Sequence, residues 1–302
     1  MKVTIGLPVY NVEPYVKDAI LSILAQTFED WECIVIDDGS TDKSLDIIRE
    51  YADSRFTIIS DGENKGLVSR LNQIIGLARG EYIARMDGDD IMHPDRLARQ
   101  VEILESSPQV DVVSTLKYSI GLDNYVYRCE QPVEIDSSVA YTILKSGYIS
   151  HATIVSRSSW SRRNPYSESY IRAEDRELFA RAVNDKNSHI LPQALYYYRE
   201  IGNMSLKKYT QSYGSELKVL LKYGVKRVGA YQTARLIARW LAKSAVIRIM
   251  FSLGIEGRLK KDGSADLYQS LEETAFLRRF LREAEQKLST SHSKRLPTGS
   301  AP

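Results

Sequence analysis

Cysteine is nearly absent from this sequence of 302 residues: Cys33 and Cys129 are the only two, far apart and without metal-ligand spacing. Such a pair builds neither a disulfide framework nor a thiolate zinc site, and it suits a reduced, cytoplasmic setting. Histidine is scarce as well. His93, His151, His189 and His292 form no H-E-x-x-H or related cluster, so a zinc hydrolase is not expected. No apolar run reaches the roughly 18–20 residues that a membrane span needs. Met1 leads directly into the strand-like Lys2–Leu7, and no signal peptide is expected. A G-x-x-x-x-G-K-[ST] loop is missing, and no nucleic-acid-reading motif accompanies the basic residues, which excludes nucleic acid as an expected partner.

What is present is unevenly charged. Residues 1–205 hold 22 Lys and Arg against 31 Asp and Glu, whereas residues 206–262 hold 13 against 3. An acidic front and a basic middle predict two functional parts.

The front alternates strand and helix signals. Val3–Leu7 reads as a strand that Pro8 stops, and Asn11 is placed to cap a helix striped by Val16, Ala19, Ile20, Ile23 and Leu24. Glu32–Ile36 is a second strand, ending in Asp37-Asp38-Gly39-Ser40-Thr41 ahead of a helix over Lys43–Tyr51. Phe56–Ile59 is a third strand, followed by a helix striped by Leu67, Leu71, Ile74, Ile75 and Ala78. Glu81–Met86 delivers the chain into Asp87-Gly88-Asp89-Asp90, and Pro94 starts another helix. This order predicts an α/β fold, a Rossmann-like, mostly parallel sheet flanked by helices. Ligands of such sheets sit beyond the carboxyl ends of the strands, where Tyr10-Asn11, Asp37-Asp38 and Asp87–Asp90 all fall.

Four carboxylates gathered in one cleft repel one another unless a cation joins them. Magnesium and manganese bind oxygen ligands and bridge one or two carboxylates to substrate phosphates, so Asp87-x-Asp89 predicts a divalent-cation site. Taken alone, Asp-rich strand ends are ordinary turns and helix caps. The case for chemistry rests on two such clusters at neighbouring strand ends.

Leu7-Pro8-Val9-Tyr10-Asn11-Val12-Glu13, Ser22-Ile23-Leu24-Ala25-Gln26-Thr27, Ile36–Asp42, Asn64-Lys65-Gly66-Leu67 and Gly80–Asp90 follow one another in order and at the usual intervals. This set closely resembles family 2 glycosyltransferases of the GT-A fold, the type found in bacterial polysaccharide biosynthesis, over roughly residues 1–205. The resemblance implies a metal-dependent, inverting hexosyltransferase acting on a nucleotide-diphosphate sugar. Pro8, Val9, Tyr10 and Asn11 would border the nucleoside. Asp38 would accept from the N–H of a pyrimidine ring, which favours UDP as carrier, and Lys65 would lie near the nucleotide. Asp87 and Gly88 would follow the ribose and diphosphate, Asp89 with Asp87 would hold Mn²⁺ or Mg²⁺, and Asp90 would face the sugar. Relatives carry an Arg directly before the Asn matching Asn72, whereas Leu71 stands there and Arg70 comes one residue earlier.

Beyond Val110, strands and a hairpin are expected to residue 135, then a helix over Val139–Leu144. Glu174-Asp175 resembles the family's acidic pair on the acceptor side. Asp175 is the candidate general base, since a carboxylate within reach of the acceptor hydroxyl can take its proton, and Glu174 is the alternative. Acids in a first turn also favour the helix dipole without any catalysis. His151 reads either as a substrate contact or as a hydrogen-bonded structural residue. Arg199, closing Tyr196-Tyr197-Tyr198-Arg199, is expected near phosphate, and Ile201–Lys208, with Met204 and Ser205, as a loop folding over donor.

The basic region 206–288 reads as a helical extension and 289–302 as a disordered tail, behind a catalytic domain of 1–205 divided near residue 116. Over Tyr231–Phe251, Arg235, Arg239 and Lys243 share one face, with Leu236, Ile237, Trp240, Leu241, Ile247 and Phe251 on the other. That pattern suits either an anionic membrane surface or packing on the catalytic domain. A lipid-linked or glycan acceptor would make attachment useful, which favours the first reading and a peripheral place on the inner face of the cell membrane. Leu267, Leu271, Phe280, Ala284 and Leu288 offer packing or self-association into a homo-oligomer. A sugar nucleotidyltransferase would want a glycine-rich loop after the first strand, which Leu7–Asn11 does not supply, and a non-catalytic nucleotide-sugar binder or scaffold would not need the Glu174-Asp175 pair.

Overall fold

A computed structural model of the chain describes residues 1–132, 134–135, 138–147, 149–170, 172–200, 206–255 and 267–293. Strands β1 (Val3–Val9), β2 (Trp31–Asp37), β3 (Phe56–Ser60) and β4 (Tyr82–Arg85) alternate with helices α1 (Val16–Leu24), α2 (Ser44–Tyr51) and α3 (Leu67–Leu77). After β5 (Ile91–Met92) and α4 (Arg96–Ser106) come β6 (Val112–Ile120), β7 (Val126–Cys129) and α5 (Val139–Ser146). A 3-10 turn (His151–Thr153) then precedes β8 (Val155–Arg157), α6 (Ser158–Arg163), α7 (Glu174–Ala182) and β9 (Ser188–Arg199). One sheet runs in the order β3-β2-β1-β4-β8-β6-β9-β5, with β7 beside β6. Its first four strands are mutually parallel. β8 then runs antiparallel to both β4 and β6, while β9 lies parallel to β6.

The apolar stripes explain which face each helix covers. Val3, Ile5, Leu7 and Val9 meet Val16, Ala19, Ile20 and Ile23 of α1 and Leu97, Val101 and Leu104 of α4 on one face. On the other, Leu71 and Ile75 of α3 pack with Ile143 of α5, Trp160 of α6, and Leu178 and Phe179 of α7. A sheet covered on both faces buries its strands throughout, and β1 and β2 are buried at every position.

Two expectations about the first loop are corrected. Pro8 does not stop β1, which continues to Val9 with Pro8 opposite Ile36. The Met86 N–H donates to the Gly6 carbonyl, so even-numbered residues of β1 turn their backbone toward β4. Pairing with β4 ends at Gly6, and the N–H that proline lacks has no ladder partner to lose. Asn11 does not cap α1, which begins at Val16 after Tyr15. It adopts a left-handed φ of 51°, its Oδ1 accepts from the Thr41 N–H at 2.8 Å, and its own N–H donates to Ser40 Oγ at 3.0 Å. Asn11 therefore ties the end of β1 to the loop after β2.

The basic region forms α8 (Leu206–Ser252), broken at Gly229 (φ 81°, ψ 164°). Tyr209 meets Phe251 and Tyr213 meets Trp240, so the two arms fold back on each other as a helical hairpin. Val219, Leu220 and Leu236 join the α5–α7 core, and the Tyr223 hydroxyl donates to Glu177 at 2.5 Å. Helix α9 (Leu267–Ser293) extends past the expected end at Leu288 and packs Leu277, Phe280, Leu281 and Ala284 over Ile120, Val126 and Leu21. Leu271 stays exposed. Of the expected Ile201–Lys208 loop, residues from Leu206 are helix instead, and Ile201–Ser205, like the tail from Lys294, lie outside the described residues.

Candidate active site

The carboxyl ends of β1, β2 and β4 and the start of α7 open on one cleft of about 870 Å³. Pro8, Val9, Tyr10, Asp38, Arg70, Arg85, Asp87, Gly88 and Asp89 form one side, and Lys117, Ser150, His151, Glu174, Asp175 and Arg176 the other. Tyr10, at the lip, is half exposed and offers a ring face to a planar base.

Asp38 is fixed before any ligand arrives. Its carboxylate accepts from the Lys65 N–H at 2.7 Å, the Gly66 N–H at 3.0 Å and Arg70 Nε at 2.8 Å. Arg70 is fully buried, a costly position for a guanidinium unless every face is paired. Its remaining nitrogens donate to Asp61 at 2.6 and 2.9 Å and to Gln73 Oε1 at 3.0 Å. These contacts hold it firmly in the charged form. Gly39 makes this junction feasible: its φ of 76° is left-handed, and a Cβ there would stand 3.0 Å from the Glu63 carbonyl carbon. The Lys65 ammonium points elsewhere, pairing with Asp61 at 2.8 Å and Glu63 at 3.0 Å, so Lys65 serves the cleft through its backbone.

The acidic turn after β4 is asymmetric. Asp87 is gripped at both oxygens by Arg85, at 2.5 Å each, and its N–H donates to the Tyr196 hydroxyl at 3.2 Å. Asp89 lies in the cleft wall, where burial, with Asp87 adding its charge, pushes its carboxyl up to about 6. Asp90 departs from expectation. It is buried outside the cleft lining, one oxygen accepting from the Arg199 N–H at 2.7 Å, so it braces the turn rather than facing a sugar. Burial and its two acidic neighbours hold it well above the usual carboxylate range. Ligand oxygens of Asp87, Asp89 and Asp90 come within 4.8 Å of one another. Three crowded carboxylates, with Asp90 Oδ2 buried and lacking a hydrogen bond of ordinary geometry, fit a hard divalent cation.

Arg199 is spent on structure. Its guanidinium donates to the Asp89 carbonyl at 2.8 Å, the Gly121 carbonyl at 2.7 Å and Asn124 Oδ1 at 2.6 Å, and it lies over the Tyr15 ring. It is buried and outside the cleft lining, away from where a phosphate would sit. Arg96, equally buried, donates to the Arg85, Ala152 and Ile154 carbonyls and so pins the end of β4 to the His151 turn.

Across the cleft, Ala173 takes a left-handed φ of 63° and turns the chain into α7, which delivers Glu174 and Asp175. Burial pushes the Glu174 carboxyl up to about 7, with the neighbouring Asp175 charge adding to it, a value suited to exchanging protons near neutrality. Asp175 Oδ1 accepts from the Arg176 N–H at 2.7 Å. His151 Nε2 meets the Tyr166 hydroxyl at 2.6 Å, and burial together with the Arg85 cation holds the ring well below the ordinary imidazole range. His151 therefore lines the cleft as a neutral ring already engaged. Sequence reading missed Arg85 and Lys117, two of the cations that line the cleft. Lys117 donates to Ser150 Oγ at 2.8 Å and lies over the Tyr198 ring.

Comparison with known proteins follows the same lines. The sequence profile of glycosyl transferase family 2 matches residues 4–167. The chain is 32% identical over 236 residues to the putative glycosyltransferase EpsE of Bacillus subtilis, covering 75% of this chain and 83% of that protein. It is 36% identical over 104 residues to the putative teichuronic acid biosynthesis glycosyltransferase TuaG of the same organism, covering 34% of this chain and 41% of TuaG. S. aureus TarS residues 1–349, solved in complex with UDP, superposes with a TM-score of 0.62 at 18% identity, covering 100% of this chain and 94% of that one. The mannosyltransferase PcManGT of Pyrobaculum calidifontis, in complex with GDP-Man and Mn²⁺, gives 0.53 at 16% identity over 95% and 86% of the two chains. The chain belongs to glycosyl transferase family 2, and its architecture is the GT-A fold.

Proposed function

We propose that the protein transfers a sugar, with inversion, from a uridine diphosphate carrier to an acceptor hydroxyl during cell-surface polysaccharide synthesis, O-antigen or exopolysaccharide included. The observation that carries this reading is the single cleft lined at once by Asp38, Asp89, Glu174 and Asp175. Complexes of the fold neighbours with UDP, UDP-GlcNAc and GDP-Man support a nucleotide-sugar donor. The name of EpsE supports sugar transfer and that of TuaG glycan assembly; the acceptor in this reading is a glycan or is lipid-linked.

In this reading Pro8, Val9 and Tyr10 flank the base, and the fixed Asp38 carboxylate accepts from its ring N–H. Arg85 and Gly88 border the diphosphate. Asp89, backed by Asp87, would hold Mn²⁺ or Mg²⁺, which when bound neutralises charge on the leaving diphosphate. Asp175 removes the acceptor proton as the hydroxyl oxygen bonds to the anomeric carbon. The bond to the diphosphate breaks in the same displacement, and the diphosphate departs with the electron pair. The raised Glu174 carboxyl gives the alternative base a specific observation in its favour. Among the described residues the cleft lining lies wholly before α8, which supports a catalytic part within residues 1–205.

The test is a donor screen that follows divalent-cation-dependent release of UDP, GDP or dTDP, run on three variants. Asp89→Ala is expected to abolish cation-dependent donor binding in calorimetry; unchanged affinity with manganese removes the metal assignment. Asp175→Asn should keep donor binding while transfer falls by about 10²–10⁴, the usual worth of a general base. Near-normal turnover in Asp175→Asn, together with loss in Glu174→Gln, hands the role to Glu174.

A further inference from the structure

The apolar face that the sequence marks on the second arm of the α8 hairpin packs on protein. Leu236 and Ile247 are buried, and Ile237 and Trp240 pack against the α5–α7 core, so most of the expected apolar face is already covered by protein. A different apolar face is exposed. Leu241, Val246 and Ile249 are 56%, 55% and 56% exposed, and Leu253, just past the helix end, is 65% exposed. Ala238, Ala242, Ala245 and Ile249 recur at i, i+4, i+7 and i+11, one stripe of the outward face. Val246 and Leu253 broaden this ridge on one side and Leu241 on the other. Arg235, Arg239 and Lys243 border it on the Val246 side, and Arg248 borders it beside Leu241.

We infer that this ridge docks on an anionic phospholipid bilayer, with the helix lying in the headgroup plane. Between Glu216 and Glu256 the sequence has no acidic residue at all. Among the described residues, Arg235, Arg239 and Arg248 pair with no carboxylate; the Lys243 ammonium lies over the Tyr213 ring. Apolar side chains rimmed by unpaired cations match the acyl boundary and phosphate layer of such a surface. The ridge is too short to span: no helix among the described residues is long and apolar enough to cross a membrane. A second copy of the chain fits poorly, because a two-fold contact would bring like cations together with no acid in this stretch to meet them. Nucleic acid has no use for the apolar crest. The hairpin that carries this ridge also touches the cleft wall. Arg176, in the cleft wall, pairs with Glu216 of the first arm at 3.2 Å, and Tyr213 of that arm packs on Trp240 of the second. The inference goes beyond the transfer reading and holds whether or not the cleft moves a sugar.

The experiment is co-sedimentation of the full chain with vesicles of phosphatidylcholine alone and of phosphatidylcholine mixed with phosphatidylglycerol. Wild type is expected to pellet with the mixed vesicles only, and to be released as salt is raised. Ile249→Glu combined with Leu253→Glu should abolish pelleting. Arg235→Gln combined with Arg239→Gln should weaken it about thirtyfold, about fivefold per cation near an anionic surface. All four side chains are outside the cleft lining, so UDP binding should be unchanged in both variants. The inference is overturned if wild type ignores the anionic vesicles, if the double Glu variant pellets like wild type, or if light scattering finds a dimer that Ile249→Glu dissolves.

Discussion

Replacing Arg70 by methionine keeps the length of a side chain on α3 and removes the cation that Asp38 and Asp61 share. Asp38 would be left buried with two backbone N–H donors, from Lys65 and Gly66, in place of three partners. Removing one member of a buried ion pair costs about 3–5 kcal/mol, because the other is stranded in a poorly solvated site. The Asp61 half is one-third exposed, so its share is screened, and the lower end, about 3 kcal/mol, is the expected loss. Urea unfolding followed by far-UV circular dichroism measures it. Arg70→Lys should recover less than half, since a point charge cannot span Asp38, Asp61 and Gln73 at once. Arg70→Met with Asp38→Asn should be more stable than the sum of the single changes by about 1–2 kcal/mol, the signature of a shared network. UDP affinity in Arg70→Met should fall about tenfold, equivalent to about 1.4 kcal/mol, as the Asp61–Gly66 segment loses its anchor. A loss of stability below about 1 kcal/mol with UDP affinity intact would refute the claim that Arg70 sets Asp38.

Glu174 gives a pH test. Its folded carboxyl is raised from 4.5 to about 7, so the native state binds the proton more tightly than the unfolded chain does. Stability should fall as pH rises between about 4.5 and 7 from this group, and Glu174→Gln should flatten that slope in melting temperatures taken across the range. Gly39→Ala should cost about 1–3 kcal/mol, since its left-handed φ and the nearby Glu63 backbone both resist a Cβ, and donor affinity should drop with stability.

The strand ends were legible because alternating apolar stripes fix both the sheet and the places where its loops emerge. Tyr10, Asp38 and Asp87–Asp89 could be named from their position after a strand. Asp90 and Arg199 could not be assigned that way, because their roles come from a contact across the sheet, 109 residues apart in sequence. Arg70 stood out only as lying one residue before the place where relatives carry an Arg; its role was not legible, because only the fold brings Asp38, Asp61 and Gln73 around it. In the basic region the 3.6-residue period was correct, but period alone does not say which stripe faces protein. The turn at Gly229 decided that by laying one arm on the other.

Asn72 has a consequence for how the cleft holds its width. Its side chain accepts from the Tyr166 N–H at 2.9 Å and donates to the Tyr166 carbonyl at 3.0 Å, and the Tyr166 hydroxyl meets His151. The helix that anchors Asp38 through Arg70 thus also grips, two residues on, the segment that steadies the facing wall. The two jaws share a pin, and neither can swing outward without breaking a paired amide contact.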